Sequence, residues 1–160
     1  MSIGLLDWAD MDQRIEPLNS GDHADLEAKR KWVRDHYEEA SRHEYDTLEG
    51  KLRLLDTIVQ ARWIAPEETL KWRCLGVAFG DALAQKLGLQ WVAVEDDGGR
   101  DPALLVEGTS MLVFPLTSIS KRVERGEQVA IHALFENACN TIERIRTQEA
   151  DNGGIQGDGD

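Results

Sequence analysis

Apolar residues return every three or four positions along most of this chain, the period of amphipathic helices. Leu26, Val33, Tyr37 and Ala40 form a narrow stripe among charged neighbours, which predicts one long surface helix over residues 22–46. Leu48, Leu52, Leu55, Val59 and Trp63 predict a second helix over residues 48–63. Pro66 then suits a helical first turn, Glu67 and Glu68 suit its positive end, and Gly88 suits a C-terminal cap. Within 66–87, Leu70, Cys74, Val77, Ala84 and Leu87 form a stripe that Leu75, Ala78, Phe79, Ala82 and Leu83 widen almost all round. That breadth predicts the central, most buried helix. Asp81 interrupts it where the period calls for an apolar residue.

The pattern then changes. Residues 89–95, 103–106 and 111–114 read as three short strands, with turn signals at Asp96-Asp97-Gly98-Gly99 and Glu107-Gly108-Thr109-Ser110. No room exists for helical crossovers, so the strands form an antiparallel meander. Pro115 ends the third strand, a short helix reaches Gly126, and a last helix covers residues 128–148. The expected fold is α+β, with helices packed on one face of a small three-stranded meander. An N-terminal arm (residues 1–21), a single domain (22–150) and a disordered, Gly- and Asp-rich acidic tail (151–160) complete the plan.

Charge narrows the partners. The net charge is -12, and the acid is spread: residues 1–65 carry 14 acidic and 9 basic groups, residues 66–160 carry 16 and 9. A surface this acidic argues against nucleic-acid binding and favours encounter with a basic protein. No apolar run is long enough to span a bilayer and no leader is visible, so the expected location is the cytoplasm. Cys74 and Cys139 lack metal or redox spacing and fall on apolar helix faces, as reduced, buried thiols do.

Several residues could carry chemistry. A carboxylate at Asp81 must be paired, hydrogen-bonded or protonated. Arg100, Lys121 and Arg122 are the plausible partners of a structural ion pair, whereas a catalytic reading combines Asp81 with Asp101 and Lys121. Asp96 and Asp97 belong to a solvated hairpin turn and, as acidic surface, to a binding face. The EF-hand spacing fails there. His36, Glu39 and His43 would share one face of the first helix and are the weak metal candidates, without a third ligand fixed by spacing. Ser118-Ile119-Ser120-Lys121 matches S-x-x-K but lacks its companion motifs, and Thr117 and Ser118 suit a helix cap. Trp8 and Trp32, in acidic surroundings, are candidate interaction anchors, while Trp63, Trp72 and Trp91 fall in core elements. Nothing calls for a cofactor.

The stretch from Phe79 to Phe135 carries Gly80-Asp81-Ala82-Leu83, Gly88-Leu89-x-Trp91 and Glu95-Asp96. Gly99-x-Asp101-Pro102-Ala103-Leu104, Pro115-Leu116-Thr117-Ser118-Ile119 and Lys121-Arg122-x-Glu124-x-Gly126-Glu127 follow in order. In these segments the chain resembles a bacterial family known as domain-of-unknown-function family 3806. The resemblance implies an α+β domain of the bacterial cytoplasm and carries no activity, hence no catalytic residue. The layout is also similar to that of small immunity proteins that neutralise secreted toxins. The expected function is a non-enzymatic, acidic protein-binding domain, most concretely an immunity protein for a basic toxin. An enzyme using Asp81, Asp101 and Lys121, or a housekeeping adaptor, are the alternatives.

Overall fold

The computed structural model describes residues 13–109 and 111–158, with side chains as far as Glu149. Its elements are β1 (Arg14–Glu16), α1 (Ser20–Arg34), a 3-10 segment (Glu39–Asp46), α2 (Leu48–Gln60) and α3 (Thr69–Leu87). β2 (Gln90–Asp96), β3 (Gly99–Leu105), β4 (Leu112–Val113), α4 (Pro115–Glu124) and α5 (Ile131–Asp158) follow. The fold is α+β with a four-stranded antiparallel sheet in the order β1-β2-β3-β4. The meander β2-β3-β4 has the expected order and direction, but β3 begins at Gly99, four residues before the expected start at Ala103, because Gly99–Pro102 pair with β2. The additional edge strand β1 is a correction to the three-strand reading, and it lies inside the segment expected to be an arm. Three residues are too short for their alternation to stand out, and Ile15 is exposed; main-chain pairing with β2 and charged cross-strand neighbours hold it.

Local chemistry sets the helix ends. The Asn19 side chain accepts from Asp22 N at 2.8 Å, and the Asp22 carboxylate accepts from Asn19 N at 2.9 Å, a reciprocal cap that starts α1. Thr47 Oγ1 caps α2 by accepting from Gly50 N at 2.9 Å. Gly88 ends α3 in the left-handed region, at φ 69°, where its missing Cβ avoids strain. At α4, Thr117 and Ser118 both donate to the Phe114 carbonyl rather than capping the helix N-terminus.

The single helix expected over 22–46 is two elements. Between Val33 and Leu48 only Tyr45 is fully buried, with Tyr37 half-buried against the core, so a continued α-helix would have little apolar face to pack. The chain turns instead, and the 3-10 segment delivers Tyr45 against α2 and α3. α2 likewise stops at Gln60, short of Trp63, and Arg62 takes a positive φ of 58°. α5 runs on to Asp158, through the stretch whose composition suggests a disordered tail. Extending an existing helix is far easier than nucleating one, which accounts for the difference.

α3 is the centre, with eleven buried residues, and Phe79 meets Phe135 of α5 edge to face at 5.9 Å. The helices cover the sheet face that carries Leu104 and Val113, which join the main core with Trp91 at its edge. On the opposite face Val92, Val94, Ala103 and Leu112 form a separate small cluster that includes no helix residue. α3 and α4 approach closely at Gly76: a Cβ there would stand 2.5 Å from Leu116 Cα.

One charge cluster ties β1, α1 and the hairpin together. Arg100 of β3 donates to both oxygens of Asp22, at 3.0 and 2.7 Å, and to Glu16 and Glu95 at 2.7 and 2.9 Å. Arg14 also pairs with Glu95 at 3.2 Å. The Arg100 guanidinium holds the Asp22 carboxyl below the ordinary aspartate value of 3.8. A depressed carboxyl pKa contributes stability above the unfolded value and loses it as pH falls through the folded one. Thermal melts of the wild type should therefore fall more steeply on acidification below about pH 4 than those of Asp22→Asn. Parallel curves for the two proteins would show that this pair adds nothing.

Candidate functional site

α1 crosses α3 with Leu26 and Val33 buried, and that puts Arg30, on the same face, opposite Asp81. Arg30 Nε donates to Asp81 Oδ2 at 2.5 Å and Nη2 to Oδ1 at 2.9 Å, a two-pronged pair. Trp91 Nε1 donates to the same Oδ1 at 2.9 Å, and the Tyr45 hydroxyl stands 3.5 Å from Oδ2. Asp81 is thus satisfied from three elements. Its partner is Arg30, which corrects the expectation of Arg100, Lys121 or Arg122. Those three look elsewhere: Arg100 holds the α1 cap, Arg122 Nη1 donates to Ser118 O at 3.1 Å, and Lys121 is exposed on α4. Sequence pattern offered no way to know which helix would cross α3 at this turn.

Asp101 is exposed on β3, 3.7 Å from Arg73. Among the described residues, no hydrogen bond or ion pair links Asp81, Asp101 and Lys121 to one another, so the structure does not assemble that trio. Asp96 sits at the hairpin, accepting from Gly98 N at 2.8 Å, and Asp97 beside it is exposed. Cys74 and Cys139 are free and buried, and burial raises both thiol pKa values.

The helix break separates His36 from Glu39 and His43, which removes their shared face. The described residues contain no group of three or more His, Cys, Asp or Glu placed to hold a metal ion. His36 has a different setting. Its Nδ1 lies 2.8 Å from Trp32 O, its ring meets Trp32 edge-on at 4.6 Å, and it stacks on Trp63 at 5.9 Å. Trp32 is partly buried against the core, whereas Trp63, expected inside, is 55% exposed. α2 ends before Trp63, so the register that would have turned its ring inward is lost. Trp8 lies outside the described residues.

Beside Asp81 opens a cleft of about 460 Å³, lined by Arg30, Arg34, Tyr45, Lys51, Asp81 and Gln85 among others. Lys51 is buried at 8% exposure. It donates to Gln85 Oε1 at 2.7 Å, and its Nζ lies 5.1 Å over the Tyr45 ring. Burial pushes the Lys51 pKa below the ordinary lysine value and raises that of Tyr45, which stays a phenol. Sequence reasoning missed Lys51, Arg30 and Tyr45. A signal existed for two of them: Lys51 is three residues after Leu48 and four before Leu55, and Arg30 is four after Leu26, so each lies on its helix's apolar face.

A solved structure from Bacteroides thetaiotaomicron VPI-5482 is similar in fold, with a TM-score of 0.65 and 17% sequence identity. The likeness covers 79% of this chain and 47% of that one, so this chain spans about half of that structure's length. No curated protein matches the sequence. No helix among the described residues is long and apolar enough to cross a membrane. A family profile described as "Domain of unknown function (DUF3806)" matches residues 51–135, from Lys51 at the cleft through Asp81, Trp91 and the hairpin to Phe135. That match covers more than half of the sequence, and the chain belongs to the DUF3806 family.

Proposed function

We propose that this chain is a non-enzymatic binding domain of the bacterial cytoplasm that captures a basic protein, in its most concrete form an immunity protein neutralising a toxin. The observation that carries this reading is the exposed Trp63, stacked on His36 beside Trp32, in a chain of net charge -12. An exposed tryptophan costs solvation unless a partner covers it, and interface anchors are enriched in this residue. Glu38 and Glu39 follow His36 in the chain, are exposed and make no ion pair among the described residues. Such a frame accelerates encounter with a cationic surface and adds salt dependence. The occupied state of Asp81 supports the same reading, because a carboxylate already held by Arg30 and Trp91 has little freedom to act as a base.

The test is a pull-down from lysate of the source organism at low and high salt, run with the wild type and with Trp63→Ala. A stoichiometric basic protein is expected, released by salt and bound at least about tenfold more weakly by the variant. A partner that persists at high salt would favour a fixed adaptor, and no enrichment at either salt would count against protein binding.

A further inference from the structure

Lys51 is the one buried lysine among the described residues, and its setting is unusual for a structural cation. An ammonium taken out of water ordinarily gains a carboxylate in exchange. Here no carboxylate of the described residues lies within ion-pair distance. Gln85 takes one of its three N–H donors, and the Tyr45 ring lies beneath it. Two donors have no protein acceptor among the described residues.

The surroundings share this character. Arg34 lines the same cleft, with a single hydrogen bond, from Nη2 to Glu27 at 3.1 Å, for a guanidinium that carries five N–H groups. Arg30 closes the floor, already engaged by Asp81. Three cationic side chains and two carboxylates, Asp46 and Asp81, line the cleft, and Glu27 behind it pairs with both Arg30 and Arg34, at 2.9 and 3.1 Å, so Lys51 is the cation there without a carboxylate. An ammonium with spare donors favours an anion, and the neighbouring Asp46 and Asp81 carboxylates repel a phosphate dianion more strongly than a monoanion. The cleft, about 460 Å³, is shallow and open to solvent, with room for a small acid.

We infer that the cleft bounded by α1, the 3-10 segment, α2 and α3 binds the carboxylate of a small organic acid, with Lys51 as its anchor. The carboxylate accepts from the two spare Lys51 donors and from Arg34, and the Tyr45 ring walls the organic portion. This site is separate from the Trp63 surface, and either can fail without the other.

The experiment is an NMR titration of the full chain with acetate and propionate, and with inorganic phosphate and chloride at matched ionic strength. It follows Lys51 Cε and the Gln85 side-chain amide. A saturable shift with the carboxylates, at concentrations of about 10 mM or below, is the expected result. Lys51→Met keeps the stem in place and leaves the exposed Gln85 amide to water; it should weaken that response at least about tenfold, and Lys51→Arg should restore part of it. Should Lys51→Met fail to fold, Arg34→Gln, a partly exposed position, should still weaken binding. The inference is overturned by no saturable shift, by equal shifts with chloride, by a stronger response to phosphate, or by folded variants that respond as the wild type does.

Discussion

Replacing Asp81 with alanine should lower stability by about 3 kcal/mol, seen as a shift of the urea midpoint at unchanged slope. The substitution strands the Arg30 fork, the Trp91 indole N–H and the Tyr45 hydroxyl, three donors from three different elements. Removing one member of a buried pair leaves the other charge without compensation, which is why such losses reach 3–5 kcal/mol in general. The lower end applies because the Arg30 side chain keeps 24% exposure and retains Glu27 at 2.9 Å. The melting temperature should drop by about 6–12 °C for a domain of this size. A double variant, Arg30→Met with Asp81→Leu, should recover the part of the loss that comes from the stranded guanidinium, while the Trp91 indole N–H and the Tyr45 hydroxyl still lack their acceptor. Unchanged stability in Asp81→Ala would mean that the pair is not structural and would reopen a functional role for the carboxylate.

Gly76→Ala should also be costly, by about 2–3 kcal/mol, although alanine is the better helix former by about 1 kcal/mol. The new methyl would meet Leu116 Cα at 2.5 Å and Pro115 O at 2.7 Å. Both are backbone atoms, so no rotamer change relieves the contact and α4 has to move off α3. Gly80 faces the same seam from the next turn: a Cβ there would stand 2.7 Å from Pro115 Cγ and from the Trp91 ring. Any displacement of α4 therefore loosens the indole that holds Asp81. Gly88→Ala is the control, with open space around it and only the left-handed φ of 69° against it, so about 1 kcal/mol is expected. Equal losses at positions 76 and 88 would show that helix crowding is not the cause.

The site was half legible. Asp81 stood out because a charge broke an otherwise apolar helix, and the requirement for a partner followed from solvation alone. Which partner it would find did not follow. Arg30, Arg100, Lys121 and Arg122 are equally capable donors as residues, and only the crossing of α1 over α3 selects Arg30. The same limit applies to Trp63, whose place in the periodic series Leu48, Leu52, Leu55, Val59 pointed inward. One early helix end turned it outward to stack on His36.

Periodicity, caps and turn residues alone determined α2, α3 and its Gly88 stop, the β2-β3-β4 meander, the two last helices and the α+β class. These are local matters, decided by repeats of about 3.6 or 2 residues and by backbone preferences of glycine and proline. Tertiary structure decided the break after Arg34, the edge strand β1, the Arg30–Asp81 pair and the buried, carboxylate-free Lys51. Each depends on what a segment meets from far away in the chain: β1 exists because Arg100 and β2 receive it, and the 3-10 segment because the core accepts Tyr45 but no longer helix. Solvation energies say that a charge needs a partner, and packing geometry says which one arrives.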